Sequence, residues 1–117
     1  MATFEADLQA LLGALVGGRC YPVVNTQPTV VSPYITFQVI YSAPLLVTDV
    51  STGRQRARLQ IDVWAATYGG AKGLAKQVKE AMDGVGAVPN ALLDAQDLYE
   101  EVSKEYRALL EYAIWPA

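Results

Sequence analysis

A glycine and lysine segment is the first place in the chain where the residue types could do chemistry. Residues 68–72, Tyr-Gly-Gly-Ala-Lys, lie where a strand pattern gives way to a helix pattern. Glycines, a lysine and a helix N-terminus together are the ingredients of a phosphate cradle. The P-loop pattern is not met, because no second Gly-Lys-Ser/Thr unit follows at the required spacing. We therefore favour a helix start that needs a flexible backbone over a phosphate site.

A group of carboxylates is the second such place. Its members are Asp94, Asp97, Glu100 and Glu101. Carboxylates in this number could ligate a metal ion or act as an acid and base pair. No third type of ligand accompanies them and their setting resembles a turn, so we expect solvated loop carboxylates. We predict no metal site and no cofactor.

Cys20 is the only cysteine, and the sequence contains no histidine. A thiol and imidazole pair is therefore excluded, and so is an internal disulfide. We expect Cys20 to be a small buried hydrophobic residue beside Tyr21. No combination of residues supports catalysis, so the sequence predicts a protein that is not an enzyme.

Composition and length predict one globular domain spanning residues 1–117. Hydrophobic residues make up 52% of the chain and charged residues 18%. Prolines interrupt the apolar runs before they reach the roughly 20 residues of a membrane helix. Glu5 and Asp7 stand where a signal peptide would have basic residues, which predicts synthesis and retention in the cytosol. The net charge of −3 argues against a dedicated nucleic-acid binder.

Charge is unevenly distributed along the chain. A basic block contains Arg54, Arg56, Arg58, Lys72, Lys76 and Lys79, with Asp62 as its one acid. An acidic block contains Asp94, Asp97, Glu100, Glu101, Glu105 and Glu111, with Lys104 and Arg107 as its cations. The blocks are either neighbours that neutralise each other within one sheet, or complementary patches for head-to-tail self-association.

The elements that would position these residues are organised around residues 54–65. Ala57, Leu59, Ile61, Val63 and Ala65 alternate there with polar residues, which predicts a strand with one buried and one wet face. Such alternation is typical of an antiparallel sheet covered on one side. The polar face of this strand carries Arg54, Arg56 and Arg58.

Two helices are predicted, over residues 3–16 and 71–83. Leucines form an apolar stripe on the first helix, while Ala6, Ala10, Gly13 and Ala14 give its outer side a smooth, uncharged surface. Either another part of the chain or a second subunit would cover that surface. On the second helix, Lys72, Lys76 and Lys79 are expected to form a solvated face.

The other strand patterns are at residues 19–24, 34–41, 91–99 and 105–115. Residues 42–53 connect two predicted strands and are predicted to form a long hairpin arm. Its apolar residues, which need a cover, are Leu45, Leu46, Val47 and Val50. The predicted fold is α+β: a mainly antiparallel sheet with two helices packed on one face.

Four segments of the sequence together resemble a known family. They are the leucine helix ending in Gly-Gly-Arg at 17–19, the segment PYITFQ at 33–38, the long stretch RARLQIDVWAATYGGAKGLAKQVKEAM at 56–82, and LYEEVSKEYRALLEYAIW at 98–115. The chain resembles, over nearly its whole length, the small tail-completion and tail-terminator proteins of long-tailed bacteriophages, prophages and gene transfer agents. The arginine-rich strand that leads into an alanine-rich helix is the most specific part.

The resemblance implies a structural virion protein of the tail and neck, assembled in the host cytoplasm. Subunits of this group form a ring, typically a hexamer, on the last ring of the tail tube. The implied partners are copies of the chain, the major tail tube protein and the head-tail connector protein, with no membrane. The resemblance also implies that the polar face with Arg54, Arg56 and Arg58 faces the lumen or a partner, and in the lumen it would make transient contact with passing DNA. Alternatives are another neck component, such as a head-closure or adaptor subunit, or a small nucleic-acid-binding α+β module.

Overall fold

The computed structural model describes residues 4–23, 31–40, 57–83, 90–101 and 104–114. Along the chain they form α1 (Phe4–Gly13), β1 (Cys20–Pro22), β2 (Tyr34–Ile40), β3 (Ala57–Ala65), α2 (Tyr68–Asp83), β4 (Asn90–Glu100) and β5 (Glu105–Ile114). Two helices and a mostly antiparallel five-stranded sheet confirm the predicted α+β fold. In this part of the chain no helix is long and apolar enough to cross a membrane.

The alternation of β3 produces the core. Its five apolar residues predicted to face inward are all buried, and Leu59, Ile61 and Val63 have no exposed surface. They pack with side chains from both helices, among them Leu12 and Val78, in one hydrophobic cluster. Burial of each large aliphatic side chain contributes about 1.5 to 3 kcal/mol, so this strand supplies much of the stability.

The five strands lie in the order β1-β2-β3-β5-β4. β3 pairs antiparallel with β5 over its whole length and with β2 from Arg58 to Trp64, so Ile61 lies between Phe37 and Leu110. β1 pairs with β2 in parallel, and β4 pairs antiparallel with β5. The sheet therefore has β1 at one edge and β4 at the other.

α1 ends earlier than predicted. The α-helix stops at Gly13, and the next residues form tighter turns, with the backbone N–H of Val16 donating to the Gly13 carbonyl at 3.1 Å. The N–H of Gly18 donates to the same carbonyl at 2.8 Å, and Gly17 has a φ of 61°. A helix end closed by a left-handed glycine is common, because glycine adopts positive φ without steric cost.

α2 begins three residues earlier than predicted because Thr67 caps it. The Thr67 hydroxyl accepts the N–H of Gly70, and its carbonyl accepts the N–H of Ala71, both at 3.0 Å. A Cβ on residue 70 would lie 2.9 Å from the Thr67 Oγ1, so glycine permits this close cap. The glycines of residues 68–72 thus form the first turn of a helix, as the sequence interpretation expected.

The setting predicted for the carboxylates is wrong. Asp94 and Asp97 lie inside β4, and Glu100 is its last residue, so they are strand residues rather than loop residues. The apolar pattern of β4 is hard to recognise because its register shifts between Leu92 and Asp94. One extra residue at a bulge moves the following side chains to the other face.

We expect Ile61→Asp to abolish folding. Ile61 is fully buried at the centre of the sheet, where an unpaired carboxylate would lose its hydration without gaining a partner. Circular dichroism during heating should show no cooperative transition. The matched control is Gln38→Asp on the neighbouring strand, where the side chain is exposed and the melt should shift little. A cooperative melt of Ile61→Asp would remove β3 from the core.

We expect the buried Cys20 thiol to lower the free energy of unfolding at alkaline pH. Its side chain is buried as expected, and burial raises the pKa of the Cys20 thiol from 9.0 to about 12. The unfolded thiol ionises from pH 9 while the folded one stays neutral, so its contribution is complete below pH 9 and is lost as pH rises towards 12. The slope is about 1.4 kcal/mol per pH unit for one group.

Denaturant titrations between pH 8 and pH 10 measure this slope. Burial also raises the pKa values of Tyr34 and Tyr112 from 10.0 to about 12. These tyrosines add their own loss from pH 10 in any variant. The variant Cys20→Ala should therefore lose less stability than the parent protein between pH 9 and pH 10. Equal slopes would contradict a buried neutral thiol.

Candidate assembly surfaces

The exposed edge of the sheet is β4. Every side chain described from Leu92 to Tyr99 is exposed, on both faces of the strand. The large apolar residues among them are Leu92 (46% exposed), Leu93 (44%), Leu98 (37%) and Tyr99 (50%). A long, apolar edge strand is a template for contact with another chain, and natural monomers usually protect such edges.

One anchor ties β4 to the helix layer. The Asp97 carboxylate accepts hydrogen bonds from Lys72 Nζ at 3.1 Å and from the Tyr68 hydroxyl at 3.3 Å. The contact raises the pKa of Lys72, first through the hydrogen bond and then through the charge of Asp97. Lys72 is exposed, as predicted, but it is paired with Asp97, so β4 contacts the first turn of α2 at this point.

Three tyrosines form an aromatic cluster beside the anchor. The ring of Tyr106 lies 5.0 Å from that of Tyr99 and 5.9 Å from that of Tyr68, measured between centroids. Tyr68 and Tyr99 are each about half exposed. Rigid, partly exposed tyrosines are enriched at the centres of protein interfaces, since they bury much area at little cost in entropy.

The sheet face opposite the helices, called the far face below, carries a row of aromatic and charged residues. Trp64 stacks on Tyr34 with ring centroids 5.8 Å apart and planes 10° from parallel. The Arg107 guanidinium lies 5.3 Å from the Trp64 ring, and the indole N–H donates to the Thr36 hydroxyl at 3.0 Å. The contacts join β2, β3 and β5 side by side, so the row fixes the register of three strands.

Arg107 is the charged centre of this row. Its Nε donates to Asp62 at 3.1 Å and its Nη1 donates to Glu100 at 3.0 Å. The side chains of Arg107 and Asp62 are only 21% and 13% exposed, so solvent screens this pair weakly. At the end of the row, Ser32 donates to Glu105 at 2.7 Å.

The charge blocks therefore pair in part within the chain. Lys72 of the basic block meets Asp97 of the acidic block, and Asp62 and Arg107 pair across two strands. Arg58 and Lys76 are exposed, and no carboxylate in the described residues pairs with either. No group of three or more Cys, Asp or Glu residues in the described part of the chain could hold a metal ion.

Comparison with known proteins identifies the family. The family model described as "Tail completion protein gp17" matches residues 5–116, nearly the whole chain. The chain belongs to this family. It is therefore a structural protein of the virion tail and neck, as the resemblance implied.

Solved structures share the fold of this tail-completion protein. A chain from a structure titled "Virion of native gene transfer agent (GTA) particle" is 23% identical, with a TM-score of 0.64. The match covers 97% of this chain and 87% of that chain. No curated protein sequence matches.

The tail-completion fold places the predicted interface residues as follows. Ala6 and Ala10 are exposed on α1, Ala14 is exposed just after it, and Arg58 is exposed on the far face. Outside the described residues lie Leu45, Leu46, Val47, Val50, Arg54 and Arg56. The interface and lumen roles of both groups stay predictions.

Sequence analysis missed the apolar side chains of β4. The strand predicted for the segment ALLDAQDLY at 91–99 assigns its leucines to no surface. Neither face of this strand is purely apolar, since the register shift at Leu93 separates Leu92 from Leu98. The sequence signal for an exposed surface is that Leu92, Leu93 and Leu98 do not fall on one face of a regular strand.

We expect Arg107→Gln to destabilise the protein by about 2 to 3 kcal/mol. The substitution leaves the largely buried Asp62 carboxylate without its charged partner and removes the cation over Trp64. Urea denaturation at pH 7 measures the loss. Arg107→Lys should recover only part of it, because an ammonium cannot bond both carboxylates while lying flat on the indole.

Lys72→Gln is the matched control for this prediction. Like Arg107→Gln, it removes a cation that pairs with a carboxylate. The Lys72 and Asp97 side chains, however, are 50% and 42% exposed. Water screens the pair, so the loss should be much smaller than for Arg107→Gln. Equal losses in the two variants would show that the far-face row does not stabilise the sheet.

Proposed function

We propose that this tail-completion protein assembles as a ring, with six subunits, on the end of the tail tube. The ring ends tube growth and joins the tail to the head connector protein. Its role is architectural rather than enzymatic. Its partners are copies of itself, the major tail tube protein and the connector. The family match over residues 5–116 is the observation that most directly supports this proposal.

The surface of the subunit supports a role in assembly. The structure describes seven large hydrophobic residues that are exposed, and five of them lie on β4 or at the start of α2. Exposed apolar residues concentrated in this way are typical of surfaces that a partner covers. The related fold in a gene transfer agent particle is consistent with this function, because that chain belongs to an assembled virion.

The basic residues favour assembly over a nucleic-acid-binding module. Arg58 alternates with buried β3 residues and lies on the far face, whereas Lys76 lies on α2, which covers the other face. A nucleic-acid surface needs its cations together on one side. Arg58 and Lys76 are on opposite sides of the sheet, so the basic strand face and the lysine face of α2 do not join into one basic patch in the described part of the chain.

We expect the purified protein to cap isolated tail tubes. Sedimentation velocity should detect a ring, and negative-stain images should show it at one end of each tube. A ring that binds the connector protein but never a tube would instead indicate a head-closure or adaptor subunit. Failure to bind tubes under any condition would reject the proposal.

The predicted arm supplies the variant for this experiment. Leu45→Ser together with Leu46→Ser should leave the melting temperature almost unchanged and abolish rings and capping, since the two leucines are proposed to contact a neighbour. Leu45→Val with Leu46→Val is the matched control, because it keeps the apolar surface. A large fall in melting temperature of the serine variant would instead make these leucines part of the core.

A further inference from the structure

Most of the exposed hydrophobic residues lie at the two edges of the sheet. Leu92, Leu93, Leu98 and Tyr99 are on β4, and Tyr68 is beside it. The other two in the described chain are Val23, which is 64% exposed and directly follows β1, and Val31, which is 48% exposed and precedes β2. No large exposed hydrophobic residue is described on β3 or β5 between them. Apolar surface is thus concentrated where one subunit could meet the next, side by side.

The two edges differ in their free backbone groups. β1 has three residues, and both backbone groups of Cys20 bond within the subunit: its N–H donates to the Gly18 carbonyl at 2.9 Å, and its carbonyl accepts Gln9 Nε2 at 2.8 Å. Pro22 has no N–H. β4 has eleven residues and one strand neighbour, so alternate backbone groups point away from β5. The Ala95 N–H donates to the Asp94 carboxylate at 2.9 Å.

The two edges also differ in charge. β4 and the turn after it carry Asp94, Asp97, Glu100 and Glu101, with Lys104 as their one cation. The β1 edge lies in a stretch from Leu8 to Thr48 that contains no acidic residue and one cation, Arg19. Two β4 strands side by side would bring like charges together, which is destabilising. An edge without carboxylates meets no such repulsion.

Val23 is unusual in its backbone as well as in its exposure. Its φ is 65°, a left-handed conformation that β-branched residues rarely adopt. The N–H of Val23 donates to the Phe37 carbonyl at 2.8 Å, which fixes the residue against β2. The strained backbone of Val23 costs free energy, and in the isolated subunit its exposed side chain contributes no hydrophobic burial to offset that cost. We therefore infer that a partner covers this side chain.

From these observations we propose that the β4 edge of one subunit contacts the β1 edge of the next copy of the chain. The contact is head-to-tail: Leu92, Leu93 and Tyr99 of one copy cover Val23 and the exposed Ala10 and Ala14 of its neighbour. Repetition of one such contact builds a ring when the rotation between neighbouring subunits closes, whereas pairing of β4 with itself would stop at a dimer. The proposal rests on the ring assembly proposed above and assigns its surfaces.

Two variants test the two sides of the contact, in the full chain and on tail tubes. Val23→Asn removes the apolar side chain, and asparagine tolerates positive φ, so the variant should be at least as stable as the parent. Leu92→Ser with Leu93→Ser removes apolar surface from β4. Each should raise the concentration for half-maximal ring formation at least about tenfold. Gln77→Ala, exposed on α2, is the matched control and should assemble normally.

Mixing the two variants tests the direction of the contact. In a head-to-tail contact the Val23→Asn protein keeps an intact β4 edge and the double-serine protein keeps an intact β1 edge. The mixture should therefore form pairs through one intact contact and no closed rings. If β4 paired with itself, Val23→Asn alone would associate like the parent protein, and that result would overturn the proposal.

The outcomes separate this proposal from the one on which it rests. If the parent protein forms no ring, alone or on tubes, the proposed function fails. If the parent and both variants form rings equally well, ring assembly stands and the assignment of edges is wrong. If the β4 variant forms rings but no longer caps tubes, β4 contacts the tube protein instead, which also overturns the assignment.

Discussion

The burial of alternate side chains along β3 is the constraint on which the other parts of the structure depend. β3 is the central strand, and its inward residues contact both helices through one cluster. Because the side-chain period of a strand is two residues, a slip of one residue would bring Arg58, Gln60 and Asp62 into the core. The cost of that slip fixes the register with β2 and β5, and hence the position of every residue on the far face.

Local patterns were sufficient to predict what β3 and α2 do, but not what surrounds them. The period of two at Leu59, Ile61 and Val63 is a property of neighbouring residues, so the sequence shows it directly. The strand order was not predictable, because pairing joins residues far apart in sequence. The pair of Asp62 and Arg107 is 45 residues apart, and Lys72 and Asp97 are 25 apart. The apolar surface of β4 was missed for the same reason, since it is exposed only because β4 is the last strand.

The far-face row and the Asp97 anchor show how charge serves the fold. Arg107 is held between Asp62 and Glu100, and its own side chain and that of Asp62 are largely buried, so its contacts select one alignment of three strands. Lys72 and Asp97 are exposed, so they hold β4 near α2 at little gain in stability. The two sequence alternatives for the charge blocks are thus not exclusive. Some residues of each block pair inside the subunit, while Arg58 and Lys76 have no acidic partner in the described part.

An edge strand such as β4 is normally a hazard, and proteins cover it, shorten it or interrupt it. The opposite edge of the same sheet shows that protection, since β1 is short and its Cys20 backbone groups are bonded internally. An open edge can bind the same edge of another copy or a different surface. In an assembly whose copies are concentrated, pairing of the edge with itself is the main competing contact. Carboxylates along β4 destabilise the pairing of two β4 edges by charge repulsion. They add little repulsion when β4 contacts an edge without acidic residues. An open, acidic edge paired with a closed, acid-free one is therefore a physical arrangement that favours rings over dimers.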